Sequence, residues 1–326
     1  FPPQLIFYPQ DKATFLEEAD MSLVSHRKAA AYLLKKHKPD VFLQDIYTPN
    51  QMLTSRWWMG YIDPSCPLYQ EKTQQEREQL WAEVKDMYRK LDDIIGEYLN
   101  NADENTVIAL SSDHGAAPLH TLVHLNNLFS AKGWLKFKID AVNGEPIIDW
   151  ERSKVIYLKF GNVYINPLGL HGKDGNWHRA SGAEYNKLRK EVIAALNTLK
   201  DQKGIKPLVK AGRWEDAESR FRLPHERVGD LIVVNRPGYG WDEEVSEEGE
   251  LFSPSLETGY KQAIESRENP AMWCPFIVMG PGVKKNYYLG DKPVNMVDQY
   301  PTLMKLIGAK IPDFVQGKAL DQVFSD

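Results

Sequence analysis

A strand, a helix and a second strand, in that order, constrain this chain more than any other feature of its sequence. Asp40-Val41-Phe42-Leu43-Gln44-Asp45 is a short apolar run closed by a carboxylate, and reads as a buried strand. Over residues 72–100, Leu80, Trp81, Val84, Met87, Tyr88, Leu91, Ile94, Ile95 and Tyr98 fall on one stripe at helical spacing. Thr106-Val107-Ile108-Ala109-Leu110 is again a buried strand and runs into Ser111-Ser112-Asp113-His114-Gly115. Strand, helix and strand at this separation predict a βαβ unit, with parallel pairing and a right-handed crossover. The expected class is therefore α/β: a mostly parallel sheet flanked by helices.

The remaining segments extend that frame. Residues 11–37 carry Phe15, Val24, Ala30, Leu33 and Leu34 at helical spacing, and Lys35, Lys36 and Lys38 load the end where cations suit the helix dipole. Lys154–Phe160 and Asn162–Asn166 read as paired strands around Gly161, Glu184–Lys200 as an amphipathic helix, and Gly229–Val234 as a strand. Pro275–Met279 reads as a late core strand ending in Gly280-Pro281-Gly282. A last helix is expected from Asp298 to Ile307, with Pro301 in its first turn, where its missing N–H costs little. The expected organisation is a core sheet domain over 1–133 and 271–326, a smaller α+β elaboration over 134–240, and a long polar loop over 241–270.

Composition excludes several classes. A net charge of -5 and a pI of about 6.0 do not give the basic face of a nucleic-acid binder. A small phosphate ester stays compatible, because a bound metal supplies positive charge locally. No apolar run reaches the roughly eighteen residues of a membrane span. Two cysteines, Cys66 and Cys274, are too few for a disulfide framework, and no Cys/His spacing reads as a structural zinc site. The opening Phe1-Pro2-Pro3-Gln4 is no signal peptide, and no initiator Met precedes it.

In an open parallel sheet, ligands bind outside the carboxyl ends of the strands. Two expected strands end in candidate ligands, Asp45 on one and Asp113-His114 on the other. A carboxylate and an imidazole on adjacent residues at a strand-to-loop turn suit a zinc or manganese ion. Gly115 gives the backbone freedom to turn past it. The same Asp113 would equally serve as the N-cap of a following helix. His120 and His124, four apart, would share a helix face. Arg56 offers a bidentate phosphate ligand, beside Trp57 and Trp58. His171 and His178 flank a turn-like Gly172-Lys173-Asp174-Gly175 and are candidates for substrate binding.

Ser112-Asp113-His114-Gly115 resembles the metal-binding motif of the alkaline phosphatase superfamily, in particular its phosphodiesterase and phosphoglycerate-mutase-like branches. The likeness spreads from about residue 13 to the C-terminus. Trp273–Val283 is similar to that family's late core strand and its Gly-Pro-Gly turn, Asp298–Leu303 with Leu306-Ile307-Gly308 resembles its last helix, and Val163–Asn166 is similar to a segment of its phosphohydrolase and phosphomutase members. The resemblance implies hydrolysis or transfer of a phosphate mono- or diester through a Ser or Thr nucleophile. It implies a divalent metal held by Asp113 and His114, with Asp45 as a further metal ligand. Zinc is the first expectation, with manganese, magnesium and calcium as alternatives.

The departures carry expectations of their own. The family's nucleophile, and a further metal-binding Asp, would precede the segment matching Phe1. Ser111 and Ser112 are therefore not expected to attack, and a missing N-terminal segment or a separate chain is expected to complete the sheet. The family's other metal takes a His four residues after its Asp, but Pro49 stands there. A late His is also absent from Thr258-Gly259-Tyr260-Lys261-Gln262. Lys261 is the expected substitute for the charge of that metal. A degenerate member that binds a ligand or scaffolds an assembly is the competing expectation.

Overall fold

Helix α1 (Lys12–His37) begins where the Asp11 carboxylate caps it, accepting from the Thr14 N–H at 3.1 Å, and ends at Lys38 in left-handed conformation. The computed structural model describes residues 11–167, 178–261, 270–290 and 293–325. They divide into two compact units: residues up to 62, 69–116 and from 267 onward form one, and 63–68 with 117–266 form the other.

In the first unit α1 is followed by the short helices α2 (Thr48–Leu53) and α3 (Met59–Ile62), then by α4 (Gln74–Asn101). A capping box starts α4: the Thr73 hydroxyl accepts from the Glu76 N–H, and the Glu76 carboxylate accepts from the Thr73 N–H. Leu80, Val84, Met87 and Ile94 form its buried stripe against Phe15, Ala19 and Leu23 of α1. Trp81 and Tyr88, expected on that stripe, stand on its exposed flank. Trp58 is fully buried in the same cluster, its indole N–H donating to Glu83 at 2.7 Å while Lys12 pairs with Glu83. Trp57 and Trp58 thus pack against Phe15 as core. β1 (Ile108–Ser111) completes this stretch.

The second unit holds β2 (Ala117–His124), α5 (Leu125–Ala131), the hairpin of β3 (Phe137–Ile139) and β4 (Pro146–Ile148), then β5 (Val155–Leu158) and β6 (Asn162–Ile165). α6 (Ala183–Thr198), β7 (Leu208–Arg213), β8 (Leu231–Asn235), β9 (Gly238–Asp242), β10 (Phe252–Pro254) and β11 (Gly259–Tyr260) follow. One sheet runs β5-β6-β8-β7; in the other, β2 pairs with β9, β10 and β11. The turn between β5 and β6 is Phe160-Gly161, both left-handed, and a side chain on Gly161 would meet the Val233 carbonyl at 2.9 Å. Leu125, Phe129, Val155, Val163, Val192, Leu196 and Leu231 are buried in the core. Buried Asp230 accepts from the Ile165 N–H and the Tyr185 hydroxyl, both at 2.6 Å, and pairs with Arg179 at 3.3 Å. Burial pushes its carboxyl above the usual range. The chain then returns to the first unit with β12 (Phe276–Met279) and α7 (Gln299–Leu306), which contains Pro301.

The α/β class holds, with four corrections. Residues 40–45 form no helix or strand and join no sheet among the described residues: burial alternates along them, leaving Val41 66% and Leu43 90% exposed while Phe42 and Gln44 are half-buried. Gln44 fastens the segment to α1 and α4, donating to His26 Nδ1 at 2.9 Å and accepting from the Tyr98 hydroxyl. The expected βαβ unit is therefore a helix leading into β1. Second, the parallel pairing is that of β2 with β9; the other strand pairs described are antiparallel, β1 with β12 included. Third, the stretch 241–270 is not all loop, since β10 and β11 lie in it. Fourth, His120 and His124 lie on β2 and not on a helix.

Candidate metal centre

Ser-Asp-His-Gly leaves the carboxyl end of β1. Because Ser111 stands opposite Phe276 in the antiparallel register, the residues after Ser111 run beside those before Phe276. Asp113 accordingly lies near enough to Cys274 to act on it: burial first, and then the Asp113 charge, push the thiol above its ordinary range. The element after this loop is strand β2, so the N-cap alternative for Asp113 falls away.

The loop fixes the orientation of the His114 ring. Its Nδ1 lies 2.7 Å from the Gly115 carbonyl. A carbonyl only accepts, so in the neutral ring Nδ1 carries the proton and Nε2 keeps its lone pair. Nε2 lies 3.6 Å from Asp113 Oδ1. Asp113 is 85% exposed at its side chain and His114 21%, so a half-buried nitrogen donor and an open oxygen donor face one another. A metal-bound histidine typically donates its second N–H to a carbonyl in this way. The donor set and the tautomer both fit a divalent cation of the zinc or manganese kind.

Gly115 is needed here for space more than for turning. Its φ is not positive, but a Cβ would meet the Ala271 carbonyl oxygen at 2.0 Å and Met272 Cα at 2.7 Å. Ser111 Oγ donates to Gln299 Oε1 at 2.5 Å, and Ser112 Oγ donates to the His114 carbonyl at 2.7 Å. Both hydroxyl protons are thus committed.

The other sequence candidates are more scattered. Asp45 is exposed. Groups of three or more ligand side chains within 4.8 Å of one another, among the described residues, are His124, Asp242 and Glu244, and Glu218, His225 and Glu226; Asp45 with Asp113 and His114 is not such a group. Arg56 is half-buried between α2 and α3. His178 is exposed, and Lys261 is exposed directly after β11. His171 lies outside the described residues. His120 stacks edge-on to Tyr239, at 5.1 Å, and closes against Gly238, where a Cβ would meet its Nε2 at 2.3 Å. Burial, with Lys203 adding to it, lowers its pKa.

Two features escaped the sequence reading. His124 sits on one face of three strands between Asp242 of β9, Nδ1 to Oδ1 3.1 Å, and Ser253 of β10, Nε2 to Oγ 2.8 Å. The Asp242 bond raises the imidazole pKa above its ordinary value. Buried Asn126 and Asn127 pin the acidic stretch that follows β9. Asn126 donates to the Glu243 carbonyl; Asn127 donates to the Glu250 carbonyl at 2.7 Å and accepts from the Ser246 N–H at 2.9 Å. The adjacent Asn126-Asn127 inside an apolar run was the available signal, since buried amides demand partners.

Comparison with known proteins bears on this chain at the level of family and fold. A sequence profile described as type I phosphodiesterase / nucleotide pyrophosphatase matches residues 38–260, more than half of the chain. No curated protein matches the sequence significantly. Among solved structures, human ectonucleotide pyrophosphatase / phosphodiesterase 5 superposes with a TM-score of 0.53 at 16% identity, over 94% of this chain and 65% of that one. Its murine counterpart gives 0.53 at 15% identity, over 94% and 65%. A mutant of the alkaline phosphatase PafA gives 0.51 at 16% identity, over 100% and 56%. At this identity the likeness is one of fold. The chain spans less than two thirds of the length of these relatives.

Proposed function

The chain belongs to the type I phosphodiesterase / nucleotide pyrophosphatase family, a branch of the alkaline phosphatase superfamily, and on that premise we propose that it is part of a metal-dependent phosphoric ester hydrolase whose metal is held by Asp113 and His114. The observation that carries this reading is the placement of the His114 ring: Nδ1 lies against the Gly115 carbonyl, and Nε2 faces Asp113. A divalent metal bound there supplies charge stabilisation for a transferring phosphoryl group and lowers the pKa of a coordinated hydroxyl. Zinc suits the nitrogen and oxygen donors best, ahead of manganese, magnesium and calcium.

This chain's own residues position and orient. Gly115 lets the loop press against Ala271 and Met272, and Ser112 ties the loop back to the His114 carbonyl. Ser111 and Ser112 are proposed to serve the loop and not to attack, their hydroxyls donating to Gln299 and to the His114 carbonyl. The nucleophile is a Ser or Thr from a segment outside residues 1–326. Asp45 is proposed as a further ligand, and Arg56, His171 and His178 as contacts to a small phosphate mono- or diester. Lys261 is proposed to balance charge on the transferring group, as a compact ammonium does without metal geometry.

Asp113→Asn and His114→Gln should each lose one equivalent of metal by elemental analysis, and with it turnover of p-nitrophenyl phosphate and bis(p-nitrophenyl) phosphate by the complete protein. Full metal occupancy in both variants would remove the assignment. Metal without turnover in the unaltered complete protein would favour a ligand-binding, non-catalytic member. Lys261→Ala should lower turnover about a hundredfold, the usual cost of deleting one charge-stabilising group, with metal content unchanged; an unaltered rate returns Lys261 to an ordinary surface lysine.

A further inference from the structure

We propose that His124, Asp242 and Glu244 form a divalent-cation site within the second unit, independent of Asp113 and His114. Their ligand atoms all lie within 4.8 Å of one another. One ion holding nitrogen and oxygen ligands at about 2.0–2.2 Å keeps them within roughly 4.4 Å of each other. In a tetrahedral arrangement they lie at roughly 3.5 Å, so the exposed Glu244 side chain would turn inward to complete the site.

The site is built, not merely acidic. His124 is 5% exposed and leaves β2 with both ring nitrogens engaged. The Ser253 hydroxyl accepts as well as donates, so it can take the Nε2 proton. With a cation bound, that would leave the Nδ1 lone pair to the ion beside Asp242 Oδ1, as the Gly115 carbonyl leaves Nε2 free on His114. Asp242 is opposite His124 in the parallel register of β9 and β2, so the sheet itself sets their separation. The Glu244 N–H donates to Asp242 Oδ1 at 2.7 Å, which folds Glu244 back over the pair. Asn127 then clamps the stretch beyond it at Ser246 and Glu250.

Charge favours a cation over a simple His–Asp pair. Asp242, Glu243, Glu244, Glu247, Glu248 and Glu250 crowd one short stretch, and Lys159, on Glu243 at 3.1 Å, is the cation described there. An imidazolium offsets one carboxylate; a divalent ion offsets two and uses the imidazole as a neutral ligand. One imidazole with two carboxylates suits Zn2+ or Mn2+. The other cluster, Glu218, His225 and Glu226, is exposed at all three residues and has no buried anchor.

The test is a Zn2+ titration by calorimetry on the full chain carrying Asp113→Asn and His114→Gln. A site for a single Zn2+ should remain. Adding Glu244→Gln, an exposed change that leaves the core untouched, should weaken it by roughly tenfold or more, as loss of a supporting ligand does. Asp242→Asn should act likewise, and His225→Gln should not. No Zn2+ binding in the double variant, an unchanged affinity after Glu244→Gln, or loss on His225→Gln would each overturn the proposal. Failure of the Asp113 and His114 assignment reads differently, since the double variant would then bind as many Zn2+ ions as the unaltered chain.

Discussion

A methyl group at Gly115 would have nowhere to go. The atoms it would strike, the Ala271 carbonyl and Met272 Cα, are backbone and cannot rotate aside. Gly115→Ala should therefore destabilise the first unit by about 1–3 kcal/mol, as overpacking does. It should also weaken the metal binding proposed for Asp113 and His114, because His114 is oriented by the Gly115 carbonyl; denaturant unfolding and a metal titration check the two effects separately. Asp201 is a second residue whose surroundings decide its behaviour. Burial pushes its carboxyl up, but the Tyr239 hydroxyl at 2.6 Å and the N–H groups of Ile205 and Lys203 outweigh that and hold its pKa below the ordinary value. A carboxyl depressed on folding stabilises above its unfolded pKa, and loses that contribution as pH falls through the folded one. Asp201→Asn should be less stable than the parent protein at neutral pH. The two melting temperatures should converge in acid; a gap that persists below the carboxylate range would assign the effect to lost packing. The motif Ser112-Asp113-His114-Gly115 could be read as a candidate site from its residue types alone. The ring orientation could not, because it depends on which carbonyl the loop presents.

Among the elements, α4 follows from its own sequence. Thr73 and Glu76 have capping-box spacing, and Leu80, Val84, Met87 and Ile94 recur on one face. Thr73→Ala should cost about 0.5–2 kcal/mol, read by denaturant unfolding; no change would mean that packing against α1 holds the first turn without its cap. Residues 40–45 show the opposite case. Their apolar run predicts a buried strand, yet a strand exists only where another strand takes its N–H and C=O groups, and none does so here. Gln44 is tied to helices on one side, while Val41 and Leu43 face outward. The His120 and His124 spacing fits a helix or a strand face equally well, since residues four apart share a face in both; the pairing of β2 with β9 decided it.

For the whole molecule, the sequence by itself determined the α/β class, the long helices α1 and α4, the hairpin around Gly161, the late strand β12, and the position of Asp113 and His114 at the end of β1. These follow from local physics: helical period, capping residues, the left-handed tolerance of glycine, and the junction of an apolar run with polar side chains. Tertiary structure decided the rest. It decided that β1 pairs antiparallel with β12, which brings Cys274 beside Asp113. It decided that Asp242, Ser253 and His124 meet across three strands although more than a hundred residues of chain separate His124 from the other two. It also decided that an acidic stretch reading as loop is pinned by two buried asparagines. Each depends on register between segments far apart in sequence. A period of two or of 3.6 fixes which face a side chain takes, but not which distant residue stands opposite it.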